Sequence, residues 1–326
     1  MRAVMCKAHG PPESLVLEDV APPRPGADDV LIEVHAAGVN FPDVLIIQGK
    51  YQYKPAFPFS PGAEVAGRVL GVGGNVRHFK PGDRVIGLCG HGGFAEQVAV
   101  PQHKVLAMPE AMDYAVGSAI ALTYGTTAHA LLQRAHLRSG EWLLVHGASG
   151  GVGLSAVEMG KAMGAHVIGT GGDDAKLKIA QEHGADHVIN YAKGPFREQV
   201  KQLTAGNGAD VIYDPVGGDV FDQSLRCIAW DGRLLVIGFA SGRIPQAPAN
   251  LALLKSCAIV GVFWGAWSER EPAANHENFR LIFDWWRQGK LRPRVSQVFE
   301  LGDTAKAIQA LVDRKVVGKA VVRVKA

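Results

Sequence analysis

Residues 142–153 read WLLVHGASGGVG, and this stretch constrains the fold more than any other. Trp142, Leu143, Leu144 and Val145 have buried-strand character and run into a glycine-rich turn. A helix-like segment over 154–164 follows, and a second apolar run over 166–170 comes at once. That order is the first half of a βαβ unit of the kind that holds a dinucleotide. Ala148, Gly150 and Gly153 occupy the three fingerprint positions, with Ala in the first slot. The first needs a small residue for a tight turn. The second needs a bare backbone where a pyrophosphate approaches, and the third lets helix pack closely on strand. The helix N-terminus, with Gly151 and Val152 in it, then offers N–H groups and a positive dipole end to phosphate.

A second chemistry is written in the same letters. Gly147-Ala148-Ser149-Gly150-Gly151 also spells the GxSxG elbow of a serine hydrolase, again a strand–turn–helix motif. It requires an acid and then a histidine later in the chain, and Asp214 and His276 are the candidates. The elbow gives no reason for Gly153 or for the βα rhythm beyond it.

At 326 residues the chain is long enough for two domains. Its 47% hydrophobic and 20% charged residues fit a soluble globular protein with a sizeable core. A net charge of +3 with no basic block gives no sign of nucleic acid. The first residues lack the apolar core of a signal peptide, and no apolar run is long enough to span a bilayer. Cys6, Cys89, Cys227 and Cys257 are scattered without CxxC spacing, as expected of reduced thiols in a cytoplasmic protein.

Residues 1–115 are β-rich. The run 27–35 alternates apolar and polar residues after a Pro/Gly turn, 64–71 does likewise with a bulge or bend expected at Gly67, and 84–88 is a further apolar run. Together they predict a small antiparallel barrel. From about 116 strand runs alternate with helices, at 142–147, 165–170, 186–191, 209–214, 232–239 and 258–264. That rhythm predicts a doubly wound parallel sheet, hence an α/β chain overall. Residues 275–289 read as an amphipathic helix with Phe279, Ile282, Phe283 and Trp286 along one side. The strand-like tail at 315–324 has its natural partner in the first domain. The expected division is a β-rich domain over 1–115 and 265–326, and a nucleotide-binding domain over 116–264.

In this order and at these distances the motifs resemble the zinc-independent quinone oxidoreductases of the medium-chain dehydrogenase/reductase superfamily. The likeness rests on AGVNFPD at 37–43, GKY at 49–51, PGAEVAG at 61–67 and PGDRV at 81–85. It continues through GTT at 125–127, the turn at 146–153, GADHVINY at 184–191 and YDPVG at 213–217. GKLRP at 289–293 and VGKAV at 317–321 complete it. It implies a Rossmann domain beside a GroES-like catalytic domain. The positions matching the catalytic zinc ligands of related alcohol dehydrogenases are Asn40, Ala63 and Ala119, and the four-cysteine structural lobe is missing. Alanine has no donor atom and an amide oxygen is a poor zinc ligand, so no metal is expected.

NAD-specific members of the fold carry an acid near the end of the second strand to hold the ribose 2′-OH. The matching residue is Gly171, which leaves room for a 2′-phosphate. The resemblance aligns Lys176 and Tyr191 with contacts near that phosphate, so NADPH is the expected cofactor. Asp173 and Asp174 lie beside this place, and helix capping is their expected role.

The resemblance implies reduction of an electrophilic small molecule, a quinone or an activated C=C bond. Hydride added to the far carbon develops charge on an oxygen that a hydrogen bond can stabilise. Asn40 is a candidate to bond the nicotinamide ribose or a substrate oxygen, with capping a turn as its ordinary role. Thr127 matches a contact beside the nicotinamide. Gly238, Phe239 and Phe263 lie at the ends of later strands, where the switch-point rule puts cofactor contacts. Tyr51 is the candidate proton donor, or a wall residue with water as the acid. Asp43 is placed to orient the loop. Trp264 and Trp267 read either as a wall for a flat acceptor or as core and dimer contact, because in such enzymes the strand near 258–264 pairs across a homodimer. Two other functions stay open on sequence: the Ser149 hydrolase, and a protein that binds NADPH without catalysis.

Overall fold

The computed structural model describes residues 1–325. The chain opens with β1 (Arg2–Met5), β2 (Val16–Asp19), β3 (Asp29–Val39) and helix α1 (Phe41–Ile47). β4 (Glu64–Val72), β5 (Arg84–Leu88), β6 (Gln97–Pro101), β7 (Val105–Ala107) and α2 (Tyr114–Ala128) follow. Next come β8 (Trp142–Val145), α3 (Gly151–Ala162), β9 (His166–Gly171), α4 (Asp174–Glu182), β10 (His187–Asn190) and α5 (Arg197–Leu203). Then β11 (Ala209–Asp214), α6 (Gly218–Cys227), β12 (Ile228–Val236), α7 (Ala249–Lys255) and β13 (Ala258–Gly261) alternate. The last elements are α8 (Trp264–Arg270), α9 (Pro272–Arg287), β14 (Val295–Glu300), α10 (Thr304–Val312) and β15 (Lys319–Arg323).

Two compact units result: Met1–Leu122 with the segment from Pro293 onward, and Thr123–Arg292. In the first, β14-β15-β3-β4-β5-β7 form one sheet and β6 pairs with β3. Val30, Ile32 and Val34 alternate inward along β3 and are fully buried, as period-two patterning requires. The bulge expected at Gly67 is present, since the β3–β4 register shifts between Val34 and Ala36, opposite it. A Cβ on Gly67 would lie 1.9 Å from the Glu33 carbonyl oxygen, so only glycine fits. The tail strand β15 pairs antiparallel with β3, in the first unit as expected. β14 and β15 are parallel, because α10 carries the chain back between them.

The second unit is a parallel sheet in the order β10-β9-β8-β11-β12-β13 with helices between successive strands. The order reverses at β8, so the glycine-rich turn leaves the sheet at the switch point where α/β sheets bind ligands. Leu143, Leu144, Val145, Val167, Ile168, Val211 and Ile212 are fully buried, which explains why these runs lack alternation.

The boundary differs from the one expected at 264. Residues 265–292 belong to the nucleotide-binding unit, because α9 turns Phe279, Ile282 and Phe283 into that unit's interior. Gln133 and Asn278 exchange side-chain hydrogen bonds at 2.9 and 3.1 Å there. Among the described residues no helix is long and apolar enough to cross a membrane.

Gly67→Ala is expected to destabilise the first unit by roughly 1–3 kcal/mol, because the methyl group meets backbone. Gly71→Ala on the same strand meets nothing within 4 Å and serves as the control. Thermal unfolding checks the pair, and equal melting temperatures would refute the close-approach argument.

Candidate active site

In the second unit Gly147 takes the positive φ of +57° that the tight turn needs. Ala148 is fully buried, and its N–H donates to the Thr170 carbonyl of β9 at 2.9 Å. A Cβ on Gly153 would sit 2.1 Å from the Gly147 carbonyl oxygen, so the close packing read from the fingerprint is real. Gly150 is the N-cap of α3 and no side chain caps the helix. Gly150 to Gly153 therefore bring a positive helix end and a bare backbone together, the arrangement that accepts a phosphate.

At the end of β9, Gly171 is buried, and a Cβ there would touch Leu177 at 3.1 Å. Asp173 is the N-cap of α4, its Oδ1 accepting the Lys176 N–H at 2.9 Å. Asp174 is held by Asn190 Nδ2 at 2.7 Å and by the Lys193 ammonium at 2.6 Å, and these bonds lower its pKa. Asp173 thus caps the helix as expected, whereas Asp174 pairs with Lys193 and Asn190 and does not cap. Tyr191 borders Gly172, whose Cβ would meet the ring at 3.4 Å. Phe239 is 36% and Phe263 59% exposed, while Gly238 is half-buried with its N–H 3.4 Å from the Asp214 carbonyl.

Hydrogen bonding and packing commit three of the candidate side chains to the interior of this unit. Thr127 is fully buried, with its hydroxyl 2.7 Å from Ser155 Oγ and 3.0 Å from Tyr213 Oη, so its polar atom serves the interior. Trp264 is core: its indole N–H donates to Asn275 at 2.9 Å and its ring lies against Gly125 and Phe279. Trp267 stacks on His129 with ring centroids 4.2 Å apart, which commits that face to packing. The hydrolase constellation is not assembled either. Asp214 accepts the N–H groups of Val216 and Gly217, His276 Nδ1 binds the Pro272 carbonyl of its own helix at 2.7 Å, and Ser149 has no strained φ.

The first unit carries the other candidates. Asn40 ends β3 as the N-cap of α1, and its N–H donates to Asp43 Oδ2 at 2.7 Å. The second Asp43 oxygen accepts the Gly62 N–H at 3.2 Å, so one carboxyl ties two loops together as expected of a loop-orienting residue. The Asn40 amide is not available to a ligand. Its Nδ2 donates to Glu64 Oε1 at 2.9 Å and to the Gly38 carbonyl at 3.3 Å, while its Oδ1 accepts from the Lys319 ammonium. Both donors are used inside the protein.

Tyr51 packs half-buried against the core of this unit. Burial, and then the negative charge of Asp43, raise its pKa, so the phenol stays protonated and can donate. Beyond it Tyr53 and His91 lie with ring centroids 5.6 Å apart. Glu64 and Lys319 were passed over in the sequence. Each is a charge at the head of an otherwise apolar run, AEVA and GKAVV, and that is the signal that could have found them.

Burial pushes the Asp43 carboxyl up to about 7, against the pull of the Asn40 N–H and the Lys319 ammonium. A folded-state pKa above the unfolded value of 3.8 contributes stability at acid pH that is lost as pH rises through about 7. Relative to wild type, Asp43→Asn should therefore gain roughly 3 °C or more in melting temperature between about pH 5 and pH 8. A melting-point difference that stays flat over that range would contradict the assignment.

A family model described as an alcohol dehydrogenase GroES-like domain matches residues 26–110, and one described as a zinc-binding dehydrogenase matches 151–278. Among the described residues no group of three or more His, Cys, Asp or Glu is placed to hold a metal ion. The chain is 42% identical to a quinone oxidoreductase-like protein 2 homolog of Nematostella vectensis, covering 99% of this chain and 89% of that one. It is 35% identical to a quinone oxidoreductase of Pseudomonas aeruginosa over 98% of both chains. A crystal structure of Escherichia coli quinone oxidoreductase complexed with NADPH superposes with a TM-score of 0.92 at 30% identity, covering 99% of this chain and all of that one. Fold, fingerprint turn and relatives agree, and the chain belongs to the quinone oxidoreductase group of the medium-chain dehydrogenase/reductase superfamily.

Proposed function

We propose that this protein uses NADPH to reduce a quinone or an activated C=C bond without a metal. The observation that carries the reading is the uncapped N-terminus of α3 at Gly150, with Gly171 in place of an acid at the end of β9. The first binds the pyrophosphate, and the second leaves space for a 2′-phosphate between Lys176 and Tyr191. When bound, NADPH supplies the hydride. Phe239, Phe263 and Gly238 line the carboxyl ends of β12 and β13, where the nicotinamide contacts are expected.

In the first unit Tyr51 supplies the hydrogen bond, and then the proton, that an acceptor oxygen needs as charge develops on it. Asp43 sets the loop, and burial, followed by the charge of Asp43, holds the phenol's pKa up. Ala63 and Ala119 offer no donor atoms at the superfamily's ligand positions, and Asn40 Oδ1 is taken by an ammonium. Those residues support the metal-free reading, and with it an acceptor that is electrophilic without Lewis-acid help. A cytoplasmic, reduced setting fits the free thiols Cys6 and Cys227, both buried.

The test is loss of reduced-nicotinamide absorbance with a panel of quinones, enones and acrylyl compounds, in wild type and Lys176→Ala. Turnover of at least one acceptor is expected. The variant should raise KM for NADPH about tenfold, on the order of 1.4 kcal/mol, and leave KM for NADH unchanged. NADPH bound but oxidised by no acceptor would leave a binding protein and overturn the reading; equal effects on both cofactors would undo the phosphate assignment.

We also assign the edge strand β13 to a homodimer contact. It is the last strand of its sheet, and Leu253, Leu254 and Phe263 near it are 79%, 67% and 59% exposed. Light scattering should return twice the mass of the 34.7 kDa chain, and a monomer at micromolar concentration would remove the assignment.

A further inference from the structure

Lys319 lies outside every residue set used above for the hydride transfer, yet its side chain is almost completely removed from water, at 5% exposure. An ammonium has three donors and no acceptor. All three are used: the Val39 carbonyl at 3.0 Å, Glu64 Oε1 at 2.8 Å, and Asn40 Oδ1. Glu64 is fully buried, and its other oxygen accepts the Leu122 N–H at 2.8 Å. The space is closed around the group, since a Cβ on Gly38 would lie 2.6 Å from Glu64 Oε1 and 2.0 Å from the Ser118 carbonyl.

A brace alone does not call for two buried charges, because apolar side chains of similar volume commonly serve as well. What the charges add is direction. An ammonium only donates, so the Asn40 amide must turn its oxygen to Lys319 and its N–H groups to Glu64 and Gly38. A flipped amide would press N–H against the ammonium and turn the amide oxygen toward Glu64 Oε1, oxygen against oxygen. The backbone of Asn40 in turn holds Asp43 in the first turn of α1, and that helix closes with the Lys50 N–H on the Leu45 carbonyl at 2.9 Å, directly before Tyr51.

We propose that Lys319 is a positioning residue for the acceptor half of the reaction: through Asn40 and Glu64 it fixes the turn at 40–43 that starts α1, and so the place of Tyr51 just beyond that helix. The inference rests on the reading of Tyr51 as the group that meets the acceptor.

The experiment compares the full-length protein with Lys319→Met and with Lys319→Met/Glu64→Gln. Steady-state turnover with NADPH and 1,4-benzoquinone is measured, together with hydrogen–deuterium exchange of peptides covering 38–51 and 97–107, which needs no turnover. Lys319→Met should lower kcat about tenfold with KM for NADPH unchanged, and exchange over 38–51 should quicken about tenfold while 97–107 stays constant. The double variant removes the unpaired buried carboxylate, so it should regain the wild-type melting temperature without regaining kcat. Should Lys319→Met fail to fold, the double variant carries the comparison. Recovery of kcat along with stability would show a brace and nothing more, and unchanged exchange over 38–51 in both variants would overturn the proposal. If the wild type reduces no quinone, enone or acrylyl compound, the functional reading fails and the exchange result alone decides whether Lys319 fixes the turn.

Discussion

A charge taken out of water has to be met on every side by the protein, and the first unit is organised around one such charge. Lys319, at the start of the tail strand, is met by Val39, Asn40 and Glu64, which come from two other places in the chain. Deleting one member of a buried ion pair costs about 3–5 kcal/mol, because its partner is left unanswered. The pairing of β15 with β3, the cap of α1 and the inward turn of Glu64 on β4 are therefore one arrangement. Asp43 extends it to Gly62 and the loop behind it.

In the second unit the corresponding constraint is distance rather than charge. Gly153 comes so near the Gly147 carbonyl that a side chain has no room, and Gly160 meets Leu143 on β8 in the same way, its Cβ falling 2.5 Å from Cδ2. Helix α3 thus lies tightly on the strand that feeds it, with its bare N-terminus at the sheet's switch point. The polar groups beneath are closed on one another. His146 bridges Thr170 and Ser224 at 2.7 and 2.8 Å, and burial lowers its pKa to about 3, so it stays neutral there. Thr127, Ser155 and Tyr213 share their hydroxyls in the same manner. Such satisfied interiors leave the rim, and not the floor, to meet a ligand.

Backbone packing accounts for the small residues: a Cβ on Gly153 would meet the Gly147 carbonyl and one on Gly171 would meet Leu177, while Asp173 caps its helix. The polar candidates differ, since Asn40 and Thr127 spend their hydrogen bonds inside the protein. Trp264 was open to two readings, and the indole N–H to Asn275 decides for the core.

Glycine positions, strand rhythm and the missing donors at 63 and 119 are local facts, and a linear chain states them without help. They determined the doubly wound sheet, the dinucleotide turn and the family. What a buried side chain touches is not local. Lys319 and Asn40 stand 279 positions apart, so no spacing rule joins them. The same holds for residues 265–292, which join the second unit because Phe279 and Asn278 find partners there. Only the tertiary structure could decide which polar groups are consumed within the protein and which remain for chemistry, because that depends on partners brought together by folding.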